Sequence, residues 1–345
     1  IAAGVTPRRP AVARSISIRY VGVAGGRSLG SARLISSLCR SADGDLLYAS
    51  KPRLTSFGIG LLKRSTTGRP LLLDIDDWEV GFFYRSGFRG RLGRFLNIGN
   101  PNGLPWTWLL ERLVGLADRL TVASRYLERR FGGVLIPHVR DTESWRPGVG
   151  DPARVRSRLD LDGRRVVMFL GTPRGYKGLE DLALAVRSLK RSDLVLAVVG
   201  CDPDSQTAQR LRSMNPGVRL VGQVPFQEIP DFLAAADLVA VPQRRTSDTV
   251  GQVPAKLFDA MALGRPIVST RVSMIPEILD GCGVLVEPGQ PEELAHAIAF
   301  LLDHPEEAAE LGRKARARCE ERYSFGSARS SLFPLLESVL KGRAA

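Results

Sequence analysis

Short apolar runs alternate with amphipathic stretches along the whole chain. Residues 166–170, 194–199 and 238–241 are unbroken apolar segments, too short for helices and without polar alternation, as expected of strands buried on both faces of a parallel sheet. Between them Leu179, Leu182, Ala183, Val186 and Leu189 recur at helical spacing. The same reading predicts strands over 16–23, 46–49, 71–75, 120–123 and 134–136 in the first half, and adds 218–221, 267–269 and 283–286 in the second. Helices are predicted over 31–40, 54–64, 106–117, 124–131, 179–188, 208–214, 229–235, 253–263, 274–279 and 292–302. Such alternation specifies α/β architecture with doubly wound parallel sheets.

Length sets the domain count. At 345 residues and 44% apolar content the chain can bury roughly two cores. Pro147, Gly148, Gly150, Asp151 and Pro152 place a hinge between Arg146 and Ala153. The expected domains are 1–147 and 148–325, with a last helix over 328–340, in the tail 326–345, packing back on the first. The chain opens at Ile1 without a Met, and IAAG reads as the tail of a strand, so N-terminal sequence is expected to be missing.

Charge and cysteines narrow the partners. The formal charge is +13, from 49 Lys and Arg against 36 Asp and Glu. The basic residues are mostly scattered arginines without a helix-turn-helix, zinc-finger or RNA-sheet signature, so nucleic acid is not an expected partner. YRSGFRGRLGR, from Tyr84 to Arg94, follows Phe82 and Phe83 and is suited to an anionic lipid surface or to a solvated loop. Cys39, Cys201, Cys282 and Cys319 have no paired spacing. That speaks for a reducing, cytoplasmic setting and against zinc or a disulfide framework, and the Tyr84–Arg94 patch extends the expected setting to the inner face of the membrane.

The candidate chemistry lies after the strands. In VVMFLGTPRGYKG an apolar run stops at Gly171 and Thr172, and Arg174 and Lys177 follow before a helix begins. A strand-turn-helix corner of this kind offers backbone N–H groups and a positive dipole end to a phosphate. Gly200 ends the next strand and would let a ligand approach the backbone. Gln223 and Val224 follow another strand and offer main-chain groups to a flat nucleobase. Thr249, Val250, Gly251 and Gln252 are expected at the N-terminus of the helix that carries Lys256 and Asp259, a second place suited to an anion.

These pieces, with VRLVGQV, AADLVAVP, PAKLFDAMALGRPIVST and IPEILDGCGVLVEP, resemble the donor domain of the retaining glycosyltransferases of family 4. LLLDIDDWE, VASRYL and IPHVRDTESWRP resemble the family's first domain more weakly. The resemblance implies a GT-B fold, two Rossmann-like domains facing across a cleft. It implies transfer of a sugar from a UDP- or GDP-sugar to a glycan or lipid-linked acceptor of envelope or exopolysaccharide synthesis, with no metal or other cofactor required. Lys177 then matches the lysine on the donor diphosphate, and Arg174 lies close to an arginine with the same task. In the commonly proposed same-face route the departing phosphate takes the acceptor's proton, and fixed cations stabilise its growing charge.

The departures are specific. Thr172 stands where the family's usual arginine follows Gly171. Gly251 and Asp259 stand where the donor helix has two glutamates, leaving Asp259 for the ribose and Gln252 or Asp248 for the sugar. Lys256 is expected either to pair with Asp259 one turn away or to reach a phosphate. Asp76 and Asp77 follow a strand and are read equally as acceptor ligands and as caps of the next turn. Gly22, Gly25, Gly26 and Gly30 do not spell a dinucleotide motif, and the family's own glycine-rich loop belongs to a strand expected before Ile1. Of the three histidines, only His138 follows a strand. The alternatives are a nucleotide-sugar epimerase or hydrolase on the same architecture, and a non-catalytic sugar or polymer-binding relative.

Overall fold

The structure is a computed structural model that describes residues 29–83, 93, 95 and 97–341. The strand expected over 16–23, Gly22, Gly25, Gly26, and the patch residues Tyr84 to Leu92 and Arg94 lie outside the described residues. The chain forms two compact units, the first made of residues up to Pro137 together with those from Ser330, the second of His138–Arg329.

In the first unit four parallel strands lie in the order β1 (Leu47–Ser50), β2 (Leu71–Ile75), β3 (Arg119–Val122) and β4 (Val134–Leu135). The run LLLDI buries every residue of β2 except Asp74, which fits an interior parallel strand. Phe57, Leu73, Ile75, Leu110, Val122 and Leu127 form the core. A π-helical turn, Leu54–Gly58, leads into the helix Ile59–Thr67. That helix stops at Gly68 (φ 64°), whose N–H donates to the Arg64 carbonyl, a left-handed C-terminal cap. Ser124 starts the helix Arg125–Phe131 by accepting from the Leu127 N–H at 3.3 Å, the ordinary role of serine at that position.

The second unit has six parallel strands: β5 (Arg165–Leu170), β6 (Leu194–Val199), β7 (Arg219–Val221), β8 (Leu238–Val241), β9 (Ile267–Thr270) and β10 (Val284–Val286). Their order is β10-β9-β8-β5-β6-β7. The chain moves outward from β5 to β7, then returns to the other side of β5 and continues to β10. The strand order therefore reverses between β5 and β8, which pair parallel, and ligands of such sheets bind at the carboxyl ends of the strands flanking that point. Val167 and Phe169 of β5 meet Leu196 and Val198 of β6, Leu182 and Val186 of the helix Leu179–Ser188, and Ile298 and Leu301 of the helix Pro291–Asp303. Each large side chain fully buried in this way contributes about 2 kcal/mol.

Two helices escape the sequence reading. Pro152–Arg158 begins inside the expected hinge, with Asp151 accepting from the Arg154 N–H at 3.0 Å. Pro305–Arg322 is largely charged and buries only Ala308, Gly312, Ala315 and Cys319. The division between units also falls ten residues before the expected 147/148, at Pro137/His138. The reason is local bonding: the Arg140 N–H donates to the Tyr323 carbonyl at 2.8 Å and the Phe325 N–H donates to the Arg140 carbonyl at 3.1 Å. The Arg316 guanidinium donates to the carbonyls of Thr142 and Trp145. The last helix starts at Phe325, not at 328, and runs to Lys341.

Candidate functional site

The carboxyl end of β5 is shaped by glycines. Gly171 has φ +121° and donates its N–H to the Val199 carbonyl at 2.8 Å. Gly200 has φ +98°, and a Cβ there would stand 2.9 Å from the Gly171 carbonyl carbon. Gly200 is thus required for the close approach of two backbone turns, whereas the sequence reading gave its bareness to a ligand. Gly178 (φ +65°) precedes the helix Leu179–Ser188, and a Cβ on it would lie 1.8 Å from the Pro242 carbonyl oxygen.

Lysines converge on this corner. Lys177 closes the short turn Gly175–Lys177 and donates from Nζ to the Thr172 carbonyl at 2.8 Å. A Cβ on Gly171 would lie 3.1 Å from the Nζ of Lys256 and 3.7 Å from the Nζ of Lys177. Burial lowers the pKa of Lys177, and the nearby Arg174 lowers it further. Arg174 and Thr172 are exposed beside them. Lys256 reaches the corner from the helix Ala255–Ala262, with Nζ 3.8 Å from the centre of the Phe169 ring. Its Nζ is buried and has no hydrogen-bond partner.

The expected pairing of Lys256 with Asp259 is corrected by the structure. The Asp259 carboxylate is bound by Arg140 Nε, while Arg140 also donates to the carbonyls of Ala255 and Val139 at 3.2 and 2.8 Å. Burial raises the pKa of Asp259, against the pull of Arg140 and, more weakly, Lys256 and His138. The His138 ring stands edge-on to Phe258 at 6.3 Å. Sequence reasoning missed Arg140 because it lies 119 residues from its partner.

The loop after β8 also departs from expectation. The helix begins at Ala255, with Pro254 before it, so Thr249, Val250, Gly251 and Gln252 precede its N-terminus by several residues. The N–H groups of Thr249 and Val250 donate to the Thr246 carbonyl, and that of Gln252 to the Thr249 carbonyl, at 3.1 to 3.2 Å. Buried Thr249 donates from Oγ1 to the Arg244 carbonyl at 2.7 Å. These residues brace a turn with groups the sequence reading had offered to an anion. Arg244 ties that turn to the phosphate corner: it grips Asp181 in a fork at 2.6 and 2.8 Å, and its N–H donates to the Tyr176 carbonyl.

Gln243, buried just past β8, has an Nε2 without a partner. No motif singled it out. Its position two residues after a buried strand beside the sheet's reversal point is the signal that could have done so. Gln223 is exposed in the turn after β7 and Val224 is half-buried there.

In the first unit, Asp76, Asp77 and Glu79 follow β2, with oxygens within 4.8 Å of one another. Lys51 Nζ stands among them, at 3.0 Å from Asp76, 3.4 Å from Asp77 and 3.1 Å from Glu79. Its ammonium places a positive charge among the three carboxylates. Lys51 adopts φ +72° directly after β1, the left-handed region that non-glycine residues seldom occupy. Asp77 is thus a member of a charged cluster. The turn is further held by Glu111, which accepts from the Val80 N–H at 3.0 Å and from Trp78 Nε1 at 3.3 Å.

Residues 164–304 match the family model described as Glycosyl transferases group 1. The chain is 30% identical over 254 residues to the GDP-mannose-dependent alpha-(1-6)-phosphatidylinositol monomannoside mannosyltransferase of Mycolicibacterium smegmatis, covering 68% of this chain and 66% of that one. It is 32% identical over 223 residues to the D-inositol 3-phosphate glycosyltransferase of Segniliparus rotundus, covering 61% of this chain and 48% of that one. The chain thus spans about half to two thirds of the length of these curated relatives. Among solved structures, Anabaena HepE in complex with UDP and glucose superposes with a TM-score of 0.72 at 20% identity, over 92% of this chain and 85% of that one. Fold and sequence likeness agree: this is a GT-B chain whose second unit is a group 1 glycosyl transferase domain.

Proposed function

We propose that the protein is a retaining glycosyltransferase that takes a sugar from a nucleotide-diphosphate donor bound by its second unit. The observation that carries this reading is the convergence of Lys177 and Lys256 on the bare backbone of Gly171. Among the described residues neither lysine is in an ion pair with a carboxylate. Two such lysine amino groups at the reversal point of a doubly wound sheet are suited to a diphosphate. Lys177 and Arg174 neutralise the leaving diphosphate as the glycosidic bond breaks, and that phosphate receives the acceptor's proton. Asp259, already held by Arg140, offers its remaining acceptor sites to the ribose hydroxyls. Gly251 leaves the sugar contact to neighbouring polar side chains, Gln252, Asp248 or Gln243. No metal takes part in this scheme.

The relatives' names support GDP-mannose as one donor and a phosphoinositide-type glycolipid as one acceptor class, and HepE's ligands support UDP-glucose as another donor. The first unit, with Asp77 in the Lys51 cluster, is assigned the acceptor, a glycan or lipid-linked glycan. The aromatic and basic residues of 82–94 are assigned contact with an anionic membrane at its cytoplasmic face. Among the described residues no helix is long and apolar enough to cross a membrane.

A thermal-shift screen of UDP, GDP, ADP and their sugar conjugates tests the reading, because a ligand that binds only the folded state raises its melting temperature. One nucleotide series is expected to stabilise the protein and to lose that effect in Lys177→Ala. Absence of any shift across the whole screen would sink the reading.

A further inference from the structure

Lys256 has an unusual setting even for a ligand-binding lysine. Its Nζ is shut off from water and donates to nothing. A buried polar group left in this way costs free energy, and an ammonium costs far more than an amine. Within the second unit the surrounding charges do not repair the deficit. The turn Gly175–Lys177 brings the second cation, Lys177, to the same corner. β5 offers the Phe169 ring face, and the turn after it the bare backbone of Gly171. On its own helix Asp259 acts on it from one turn away, but Arg140 binds that carboxylate and His138 also acts on it. The pKa of Lys256 accordingly falls well below the ordinary lysine value, through burial first and Lys177 second, with Asp259 opposing.

We propose that Lys256 binds the donor's diphosphate as an ammonium after entering the complex as a neutral amine, so that each nucleotide bound draws a proton from solvent onto this side chain. The inference rests on the donor site argued above and adds to it a proton taken up at a named atom. The neutral amine accepts the proton on its lone pair, no other bond changes, and the phosphate oxygens supply the negative charge missing from the free protein. Affinity then increases as pH falls through the range between the free and bound values, and levels off below it. The same setting sets two properties of Lys256→Met in opposition. The free protein is relieved of a buried unpaired amine and melts no lower than the wild type, while its hold on the nucleotide weakens.

The test is titration calorimetry of UDP and of GDP in buffers of different ionisation enthalpy at neutral pH. It is run on the wild type, Lys256→Met, Lys256→Gln and Lys177→Met. The expected result is uptake of up to about one proton per nucleotide by the wild type, lost in both Lys256 variants, with binding weakened about tenfold or more. Isotope-edited lysine NMR of the wild type, with and without nucleotide, reads the same protonation without any substitution. Nucleotide binding without proton uptake, or uptake that persists in Lys256→Met and vanishes in Lys177→Met, overturns the inference and leaves the donor site standing. No binding of either nucleotide by the wild type overturns both.

Discussion

Arg140 binds the carboxylate of Asp259 across 119 residues of sequence, from the strip of chain that opens the second unit. Its guanidinium also donates to the carbonyl of Ala255, the first residue of Asp259's helix, at 3.2 Å. Breaking one partner of such a pair leaves the other buried and uncompensated.

Arg140→Ala is therefore expected to lose about 3 kcal/mol of unfolding free energy, measured by urea denaturation. Asp259→Ala in the Arg140→Ala background should cost much less than it does alone, with a coupling of at least about 1 kcal/mol. Additive losses would show that the pair is a surface contact without energetic weight.

Lys177 and Arg174 differ in exposure, and their substitutions should separate accordingly. Lys177→Ala is expected to weaken nucleoside diphosphate binding by about ten- to a hundredfold, the value of a charge-assisted hydrogen bond. Exposed Arg174→Ala should cost less, because solvent screens its charge. Calorimetric affinities in which Arg174 matters more than Lys177 would reverse the assignment of the diphosphate.

Gly178→Ala places a Cβ 1.8 Å from the Pro242 carbonyl oxygen at a backbone φ of +65°. The left-handed backbone alone costs about 1 to 2 kcal/mol, and the contact must move either the turn of Lys177 or the end of β8. Loss of both melting temperature and nucleotide binding is expected. A variant that melts and binds as the wild type does would exclude this packing.

Lys51 lends stability of known sign. Glu79, Asp76 and Asp77 hold its pKa above the ordinary lysine value against the effect of burial. The contribution is complete below the unfolded value and is lost as pH rises through the folded one. Lys51→Met should cost about 2 kcal/mol at neutral pH, less than a fully buried pair because its side chain keeps 27% of its exposure. It should also flatten the alkaline fall in stability. An unchanged alkaline limb in denaturation curves would remove Lys51 from this role.

Burial raises the thiol pKa of Cys201 and Cys282, and pushes Cys319 up to about 12. A higher pKa means less thiolate at a given pH. A thiol-specific reagent should therefore label half-buried Cys39 first and reach the other three only on unfolding. Rapid labelling of Cys319 in the native protein would contradict the packing around it.

What could be read from the sequence was what is local. β2, β6 and β8 and the helices Leu179–Ser188 and Ile229–Ala235 have the expected ends, because uninterrupted apolar runs and helical spacing leave no competing period. The helix Pro152–Arg158 was hidden by the glycines and prolines around it. Pro305–Arg322 was hidden because it packs through small residues that leave no apolar stripe. At the site, Gly171, Arg174 and Lys177 share one turn, so their association was visible in seven residues of chain. The grip of Arg140 on Asp259, the fork between Arg244 and Asp181, and the isolation of Lys256 join distant segments, and periodicity carries no information about such pairings. The loop from Thr246 to Gln252 stands before the helix and not at its first turn, because the N–H groups of Thr249, Val250 and Gln252 close turns on the loop before the helix begins at Ala255.

One uninterrupted stretch, His138–Arg329, spells the second unit, whereas the first is completed only by residues from Ser330 onward. During synthesis the earlier-made unit must therefore wait for the residues from Ser330 onward, while the later-made one has all of its own by Arg329. A stop codon just after Arg329 would spare the second unit's sequence and truncate the first, so its harm should fall on the unit whose other residues run up to Pro137.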